Sequence, residues 1–234
     1  MVPAVTFGTH CYEGDWRALL WTDRLRRMIA YNGCQFVERR LLINNVADVA
    51  EVRKQAVPLV TEGVLTSVEV VAQYADEALR FFGIDKKSFR GGYYYSIQHL
   101  VSLYLCRTEY LLYFTADSIL DALATWIEPC ITRMLKDPNL KVAIPLWNGL
   151  VPARAEAESE EENFFIGYGF SDQCYLVRTA DYRAQIYNER HRASERYPAY
   201  GGELFEKRVD SWMRNHGYRR LTYKNASYTH RRLC

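Results

Sequence analysis

The sequence predicts an α/β protein with a mostly parallel central sheet flanked by helices, and three observations carry that prediction. Short apolar runs end in polar turns and are followed by segments of helical spacing, the strand–turn–helix repeat that builds right-handed βαβ units. The 234 residues are 49% hydrophobic and 25% charged, a globular balance in a chain long enough to bury a substantial core. The run Tyr110 to Phe114 has the length of a buried strand and breaks abruptly into Thr115, Ala116, Asp117 and Ser118.

In chain order, Ala4 to Phe7 is the expected first strand, with Gly8, Thr9 and His10 as the loop at its carboxyl end. From Asp15, a helix cap, apolar residues recur at Trp16, Leu19, Leu20, Met28 and Ile29, which predicts one helix stopped by Gly33. A second strand, Arg40 to Ile43, breaks into Asn44 and Asn45. A helix with Val46, Val49, Val52 and Ala56 on one face follows and ends near Pro58. An amphipathic helix is expected around Val68 to Phe82, then a loop through Gly83 to Gly91 and Gly92. Ser96 caps the helix that carries Ile97, Leu100, Val101 and Tyr104 into the central strand.

After Ser118 the apolar spacing at Leu120, Leu123, Ile127, Ile131 and Met134 predicts a long helix kinked at Pro129. Val142 to Trp147 reads as an edge strand because it contains Pro145. Residues 149–163 are rich in Gly, Pro, Ala and Glu and are expected to form a mobile surface loop, able to close over substrate. A strand at Cys174 to Val177 and a helix around Tyr182 to Arg190 follow. A clear amphipathic helix carries Leu204, Phe205, Val209, Trp212 and Met213 and closes at Gly217. The last strand, Tyr218 to Tyr223, runs into Ser227 to His230, and there is no internal repeat.

With a net charge of only +2, nothing points to a general nucleic-acid binder. The charge is uneven: five glutamates fall between Glu156 and Glu162, whereas from Ile186 onward eleven Lys or Arg face five Asp or Glu. That basic quarter suits a phosphate-bearing substrate, an anionic membrane surface or a plain solvated face. Eighteen tyrosines and five tryptophans line sugar and nucleotide sites or cover a large sheet. The six cysteines form no CxxC pair and no zinc spacing, and Cys106 and Cys174 sit in apolar runs, so a reduced, cytoplasmic setting is expected. No signal peptide is expected after Met1, and no apolar run approaches the length of a membrane span, which limits membrane association to peripheral contact.

Chemistry concentrates where the central strand ends. In open α/β sheets ligands bind beyond the carboxyl ends of the strands, and a carboxylate there suits a hard cation. Standing alone, Asp117 or Ser118 reads better as the cap of a following helix; the context elsewhere in the chain reverses that preference. His10 in a polar loop, His99 on the preceding helix and Asp172 ahead of a strand are further residues near the same edge, each with an ordinary packing role open to it. Glu203 and Glu206 lie three apart at the start of one helix, nearly on one face, where the helix N-terminus favours their ionised forms.

The order of these parts resembles a glycosyltransferase of the GT-A fold, a Rossmann-like sheet, and is similar to the inverting family 2 nucleotide-sugar transferases. The resemblance spans almost the whole chain. It implies a single domain, 1–234, with a nucleotide-binding half at 1–118 and an acceptor-binding half at 119–234. By that likeness Thr6, Phe7, Gly8 and Thr9, then Asn44 and Asn45, then Thr115 and Ala116 contact the nucleotide. Thr115 to Asp117 occupies the place of the DXD metal motif, with Thr115 standing for its first carboxylate. Asp117, completed by His230, is the implied ligand pair for Mn2+ or Mg2+. The spacing of Glu206 to Gly217, Tyr218 and Arg219 matches the family's acidic motif and marks Glu206, ahead of Glu203, as catalytic base.

The implied donor is a nucleoside diphosphate sugar. The implied acceptor is a glycan or lipid-linked hydroxyl in polysaccharide assembly, with no nucleic acid involved. A cation acts on the diphosphate leaving group as a Lewis acid, with Arg192 and Arg196 as candidate assistants. A catalytically silent carbohydrate- or nucleotide-binding domain of the same fold is the alternative. A nucleotidyltransferase is disfavoured, because no Gly-rich, Lys-bearing phosphate loop follows the first strand.

Overall fold

The computed structural model describes residues 3–147, 149–198, 201–231 and 233. The readings at Met1 and Cys234 lie outside them. One ten-stranded sheet organises the molecule. Its strands are β1 (Val5–Cys11), β2 (Glu38–Ile43), β3 (Ser67–Val70), β4 (Tyr110–Phe114), β5 (Ser118–Leu120), β6 (Leu140–Trp147), β7 (Ala157–Glu160), β8 (Phe164–Gly167), β9 (Cys174–Arg178) and β10 (Arg219–His230). They run in the order β3-β2-β1-β4-β9-β6-β10-β8-β7, with β5 on the end of β10. β1 to β4 are mutually parallel, and β6 and β10 are parallel to each other. β9 is antiparallel to both β4 and β6, so it threads two parallel blocks pointing the same way.

Alternation along β4 shows why both faces must be covered. Tyr110, Leu112 and Phe114 join one core, Leu111 and Tyr113 the other, as a period of two requires. The first core is closed by α1 (Trp16–Leu20), α2 (Arg24–Ala30), α3 (Val49–Thr61) and α6 (Ile127–Lys136). The second lies under α4 (Val71–Phe82), α5 (Tyr93–Leu105) and α9 (Phe205–Asn215). Each fully buried Leu, Ile or Phe on these faces contributes about 1.5–3 kcal/mol of transfer free energy. The described residues also include the short helices α7 (Leu150–Ala155) and α8 (Thr179–Tyr182) and 3-10 turns at Lys86–Phe89 and Arg192–Arg196.

Several expected elements come out differently. The helix from Asp15 to Gly33 is two, α1 and α2, broken at Trp21 to Asp23, and the Asp15 carboxylate accepts from the Tyr12 amide instead of capping α1. α3 continues past Pro58 to Thr61. The amphipathic stretch at 68–82 opens with strand β3 before becoming α4. Ser96 lies inside α5, where its hydroxyl donates to the Gly92 carbonyl. The long helix after Ser118 starts only at Ile127, with β5 ahead of it. Pro129 falls in the first turn, where a missing N–H breaks no helical hydrogen bond. β6 lies inside the sheet, but β9 pairs only its Val142 and Ala143, so Pro145 has a ladder partner on one side, Tyr223. The helix expected at 182–190 is the short α8 instead.

The stretch 149–163 is α7 and β7, not an irregular lid. Four of its glutamates are paired: Glu156 with Arg220, Glu158 with Arg219, Glu160 with Arg154 and Lys224, and Glu161 with Arg133. The acidic run is long enough to repel itself, yet it meets a basic strand and helix that neutralise it.

Candidate functional site

The carboxyl ends of β1, β2, β4, β6 and β10 open on one edge of the sheet, and the start of β9 lies there too. β4 delivers Thr115, Ala116 and Asp117. The Thr115 amide donates to the Gln173 carbonyl at 2.9 Å, tying this turn to the segment before β9. β5 then folds back against the end of β10, pairing Ser118 with His230, and the Arg231 amide donates to the Asp117 carbonyl at 3.0 Å. The result brings His230 Nε2 to 2.9 Å from Asp117 Oδ2, across 113 positions of sequence. Gln173 Nε2 approaches His230 Nδ1 at 3.1 Å; an amide nitrogen donates, so this contact directs the Nε2 proton at Asp117.

Burial works against the Asp117 carboxylate, but hydrogen bonds from His230 and Thr115 overcome it and hold its pKa below the usual range. The same hydrogen bond raises His230, against a smaller opposing effect of burial. Arg24 lies beside them: its Nε donates to the Ala116 carbonyl at 2.7 Å, and the Asp117 charge supports its cation against burial. Asp15 is buried close by and pushed up to about 7, mainly by desolvation and further by Asp117. Neither Arg24 nor Asp15 stood out as a site residue in the sequence. Arg24 sits on an apolar-spaced helix and looks like a solvated face, and Asp15 looks like a cap.

A second acidic group lies at the start of α9. Glu206, in the first turn of α9, accepts from the Asp172 backbone amide, which acts against the rise in its pKa. That rise, to about 9, comes from burial first and the Asp172 carboxylate second. Asp172 is itself raised by burial and then by Asp117, so it stands electrostatically between the two ends of the site. Behind it, His99 Nε2 is buried without a hydrogen-bond partner, 3.8 Å from Asp172 Oδ2, while its Nδ1 meets the Tyr175 hydroxyl at 3.1 Å. His10 pairs with the Tyr113 hydroxyl at 2.8 Å and is lowered to about 4 by burial, so it is neutral at physiological pH.

The start of α9 is pinned by backbone packing. A Cβ on Gly202, at φ +68°, would fall 2.6 Å from the Phe89 and Arg90 carbonyls. Those contacts leave room for a glycine alone, and the Glu203 amide then reaches Phe89 O at 2.8 Å and the Phe205 amide Ser96 Oγ at 2.9 Å. Glu203 is turned away to an ion pair with Lys207 at 3.1 Å.

The expected nucleotide contacts on β1 need correction. Thr6, Phe7, Gly8 and Thr9 are buried inside the strand, which runs on to Cys11. Gly8 is not a loop residue; its bare Cα is what lets Ser102 and Tyr113 approach, at 3.0 and 3.1 Å from an added Cβ. The exposed turn begins at Tyr12. Asn44 is also buried, its amide donating to Gln98 Oε1 at 3.2 Å; Asn45, at φ +53°, turns the chain and donates to the Tyr94 carbonyl. Arg192 is exposed on a short 3-10 helix, and Arg196 lies 3.8 Å from Asp210 and acts electrostatically on Glu206.

Among the described residues no group of three or more His, Cys, Asp and Glu is arranged to hold a metal ion. The Asp117–His230 contact brings together one oxygen and one nitrogen of the donor types a divalent cation takes, with the Nε2 proton between them. No helix among the described residues is long and apolar enough to cross a membrane.

No known family profile matches the chain, and no curated protein matches it in sequence. Solved structures do match in shape. GalNAc-T7, crystallised with UDP, GalNAc and Mn2+, superposes at TM-score 0.55 and 11% identity over 99% of this chain. This chain spans only 44% of the length of GalNAc-T7. A mycobacterial protein gives 0.54 and 12%, over 98% of this chain and 68% of its own. Glucosyl-3-phosphoglycerate synthase from Mycobacterium tuberculosis, in complex with Mn2+, UDP and glucosyl-3-phosphoglycerate, gives 0.50 and 12%, over 98% and 72%. Likeness at that identity is a likeness of fold, and the fold of this chain is that of the GT-A glycosyltransferases.

Proposed function

We propose that this protein transfers a sugar from a nucleoside diphosphate sugar to an acceptor hydroxyl, with inversion at the anomeric carbon. The observation that carries the reading is the Asp117–His230 contact at 2.9 Å, placed at the carboxyl edge of a GT-A sheet and facing Glu206 across Asp172. The neighbours GalNAc-T7 and glucosyl-3-phosphoglycerate synthase, each crystallised with UDP and Mn2+, support a nucleotide-sugar donor.

Asp117 and His230, once the Nε2 proton between them is released, would hold Mn2+ or Mg2+, which would offset the charge developing on the diphosphate leaving group. Arg24 adds a fixed positive charge on the same side. The residues from Tyr12 to Glu13 and Asn45 line the approach for the nucleoside, in place of the buried part of β1. Glu206 receives the acceptor proton, and the Asp172 amide and the packed start of α9 hold its carboxylate in place. Residues 1–118, joined by His230, serve the donor, and the rest of 119–234 serves the acceptor, a glycan or a lipid-linked hydroxyl met at a cytoplasmic membrane surface.

A catalytically silent binding domain is the second reading, favoured by Thr115 at the place of a carboxylate. A thermal-shift series with uridine and guanosine diphosphate, with manganese or chelator, tests the donor site, and release of nucleoside diphosphate from a sugar donor separates transferase from silent domain. Equal shifts with and without metal would return Asp117 to a structural role.

A further inference from the structure

On the acceptor side, the segment joining β8 to β9 passes between two arginines. Gly169 has φ +110°, and a Cβ there would lie 2.5 Å from an Arg196 guanidinium nitrogen and 2.9 Å from one of Arg220. Two guanidinium groups therefore converge on the space that a side chain at 169 would fill. Like charges approach this closely only where anionic groups offset them.

The offset present is incomplete. Buried Asp210 commits Oδ2 to Arg214 at 2.8 Å and to the Ser194 hydroxyl at 2.6 Å. Its Oδ1 has no hydrogen-bond partner and faces Arg196 only at 3.8 Å. Arg220 pairs with Glu156, a carboxylate more than half exposed. Arg196, Arg214 and Arg220 thus share two carboxylates, Asp210 and Glu156. The Arg196 side chain is 43% exposed, and that of Arg220, at 10%, forms an inner wall behind it. Tyr197 braces the loop, its hydroxyl donating to the Phe170 carbonyl at 2.8 Å and accepting from Arg196 at 3.2 Å.

We propose that Arg196 and Arg220 form an anion subsite beside Glu206 that receives a negatively charged substituent, phosphate or carboxylate, of the sugar acceptor. The proposal rests on the reading of this crevice as a glycosyl-transfer site with Glu206 as its base. Planar guanidinium forks bind such oxyanions in bidentate fashion, which a lysine does not reproduce. The loop that Tyr197 braces reaches the start of α9 through Phe170, whose ring meets that of Phe205 at 5.6 Å between centroids, and this sets the arginine pair beside Glu206.

The test is calorimetric titration of galactose 6-phosphate, galacturonic acid and galactose into protein saturated with uridine diphosphate and manganese, so that the diphosphate position is filled. At least one acidic sugar is expected to bind about tenfold or more tightly than galactose, with Arg196→Gln abolishing the difference and Arg196→Lys retaining part of it. The phosphate and carboxylate arms tell which anion the fork takes. Equal binding of all three sugars, or an acidic preference that survives Arg196→Gln, overturns the subsite. If Arg196→Gln fails to fold, Arg196→Lys decides: a loss confined to the acidic sugar supports the subsite, and an unchanged preference overturns it. Failure of the nucleotide to bind, with the acidic preference intact, would instead remove the transferase reading and leave the subsite standing.

Discussion

The two ends of the crevice solve opposite electrostatic problems. At the Asp117 end, a half-buried carboxylate is held in its charged form by a histidine, a threonine and a nearby arginine. At the Glu206 end, a largely desolvated carboxyl beside a second carboxyl, that of Asp172, is driven toward its neutral form. The first arrangement suits a group that must remain an anion to bind a cation. The second suits a group whose proton affinity is high enough to take a proton from a hydroxyl, once substrate and cation have shifted the balance of charge. Residue type alone separates nothing here, since both are ordinary acids; the surroundings assign the roles.

The largest expected effect tests the Glu206 end. Glu206→Gln should lower the turnover of sugar transfer by about a hundredfold or more, the lower range for loss of a general base, with nucleotide affinity little changed. Glu203→Gln should cost far less, because its carboxylate is engaged by Lys207. Steady-state kinetics with both variants checks the assignment, and a reversal of the two would move the base to Glu203.

Next in size is the metal-dependent response of the other end. At a hundred times its dissociation constant, uridine diphosphate with manganese should stabilise the wild-type fold by about 2.7 kcal/mol. Asp117→Asn should erase the manganese-dependent part of that gain, whereas Glu206→Gln should keep it. A melting series over nucleotide concentration reads both, and similar losses in the two variants would dissolve the contrast between the ends.

The pH dependence of the empty protein sharpens the comparison further. The unfolded chain ionises Glu206 from about 4.5 and the folded chain only near 9, so between those values the unfolded state binds fewer protons. Stability contributed by Glu206 is therefore lost as pH rises through this window. Glu206→Gln should flatten the curve, gaining at least about 1.4 kcal/mol on wild type between pH 5 and pH 9, the worth of a single pKa unit. Urea melts at several pH values provide the measurement, and parallel curves would show that Glu206 is charged throughout.

His230 should give the smallest effect. Its pKa is raised from 6.5 by Asp117, so the stability it adds is complete below that value and lost as pH climbs through the folded value. The pair is partly exposed and screened, so His230→Gln should cost no more than about 1 kcal/mol near pH 5 and nearly nothing at pH 9. A larger loss that persisted at high pH would mean that His230 holds β10 in place by packing instead of charge.

Fold class, the central strand and most helix faces followed from the sequence by itself, because alternation in strands and recurrence in helices are local consequences of having two faces to bury. Asp117 was visible for the same reason: an acid directly after an unbroken buried run must emerge at the sheet's carboxyl edge. Glu206 was marked only by the resemblance to the GT-A family, through its spacing to Gly217. Tertiary structure alone decided the rest. β5 is three residues long, too short for a period, and it became a strand because the end of β10 paired with it; that pairing sets His230 against Asp117. Gly8 resembled a turn until Tyr113 and Ser102 packed over it and carried β1 on to Cys11, which buries Thr6 to Thr9 within the strand. The glutamates of 156–161 were composed like a mobile loop and were ordered by Arg133, Arg219, Arg220 and Lys224, partners distant in sequence. Asp172 and His99 gained their meaning only when the segment before β9 was tied to Thr115 beside the start of α9, for a local pattern records which faces are buried and not which distant charges meet across them.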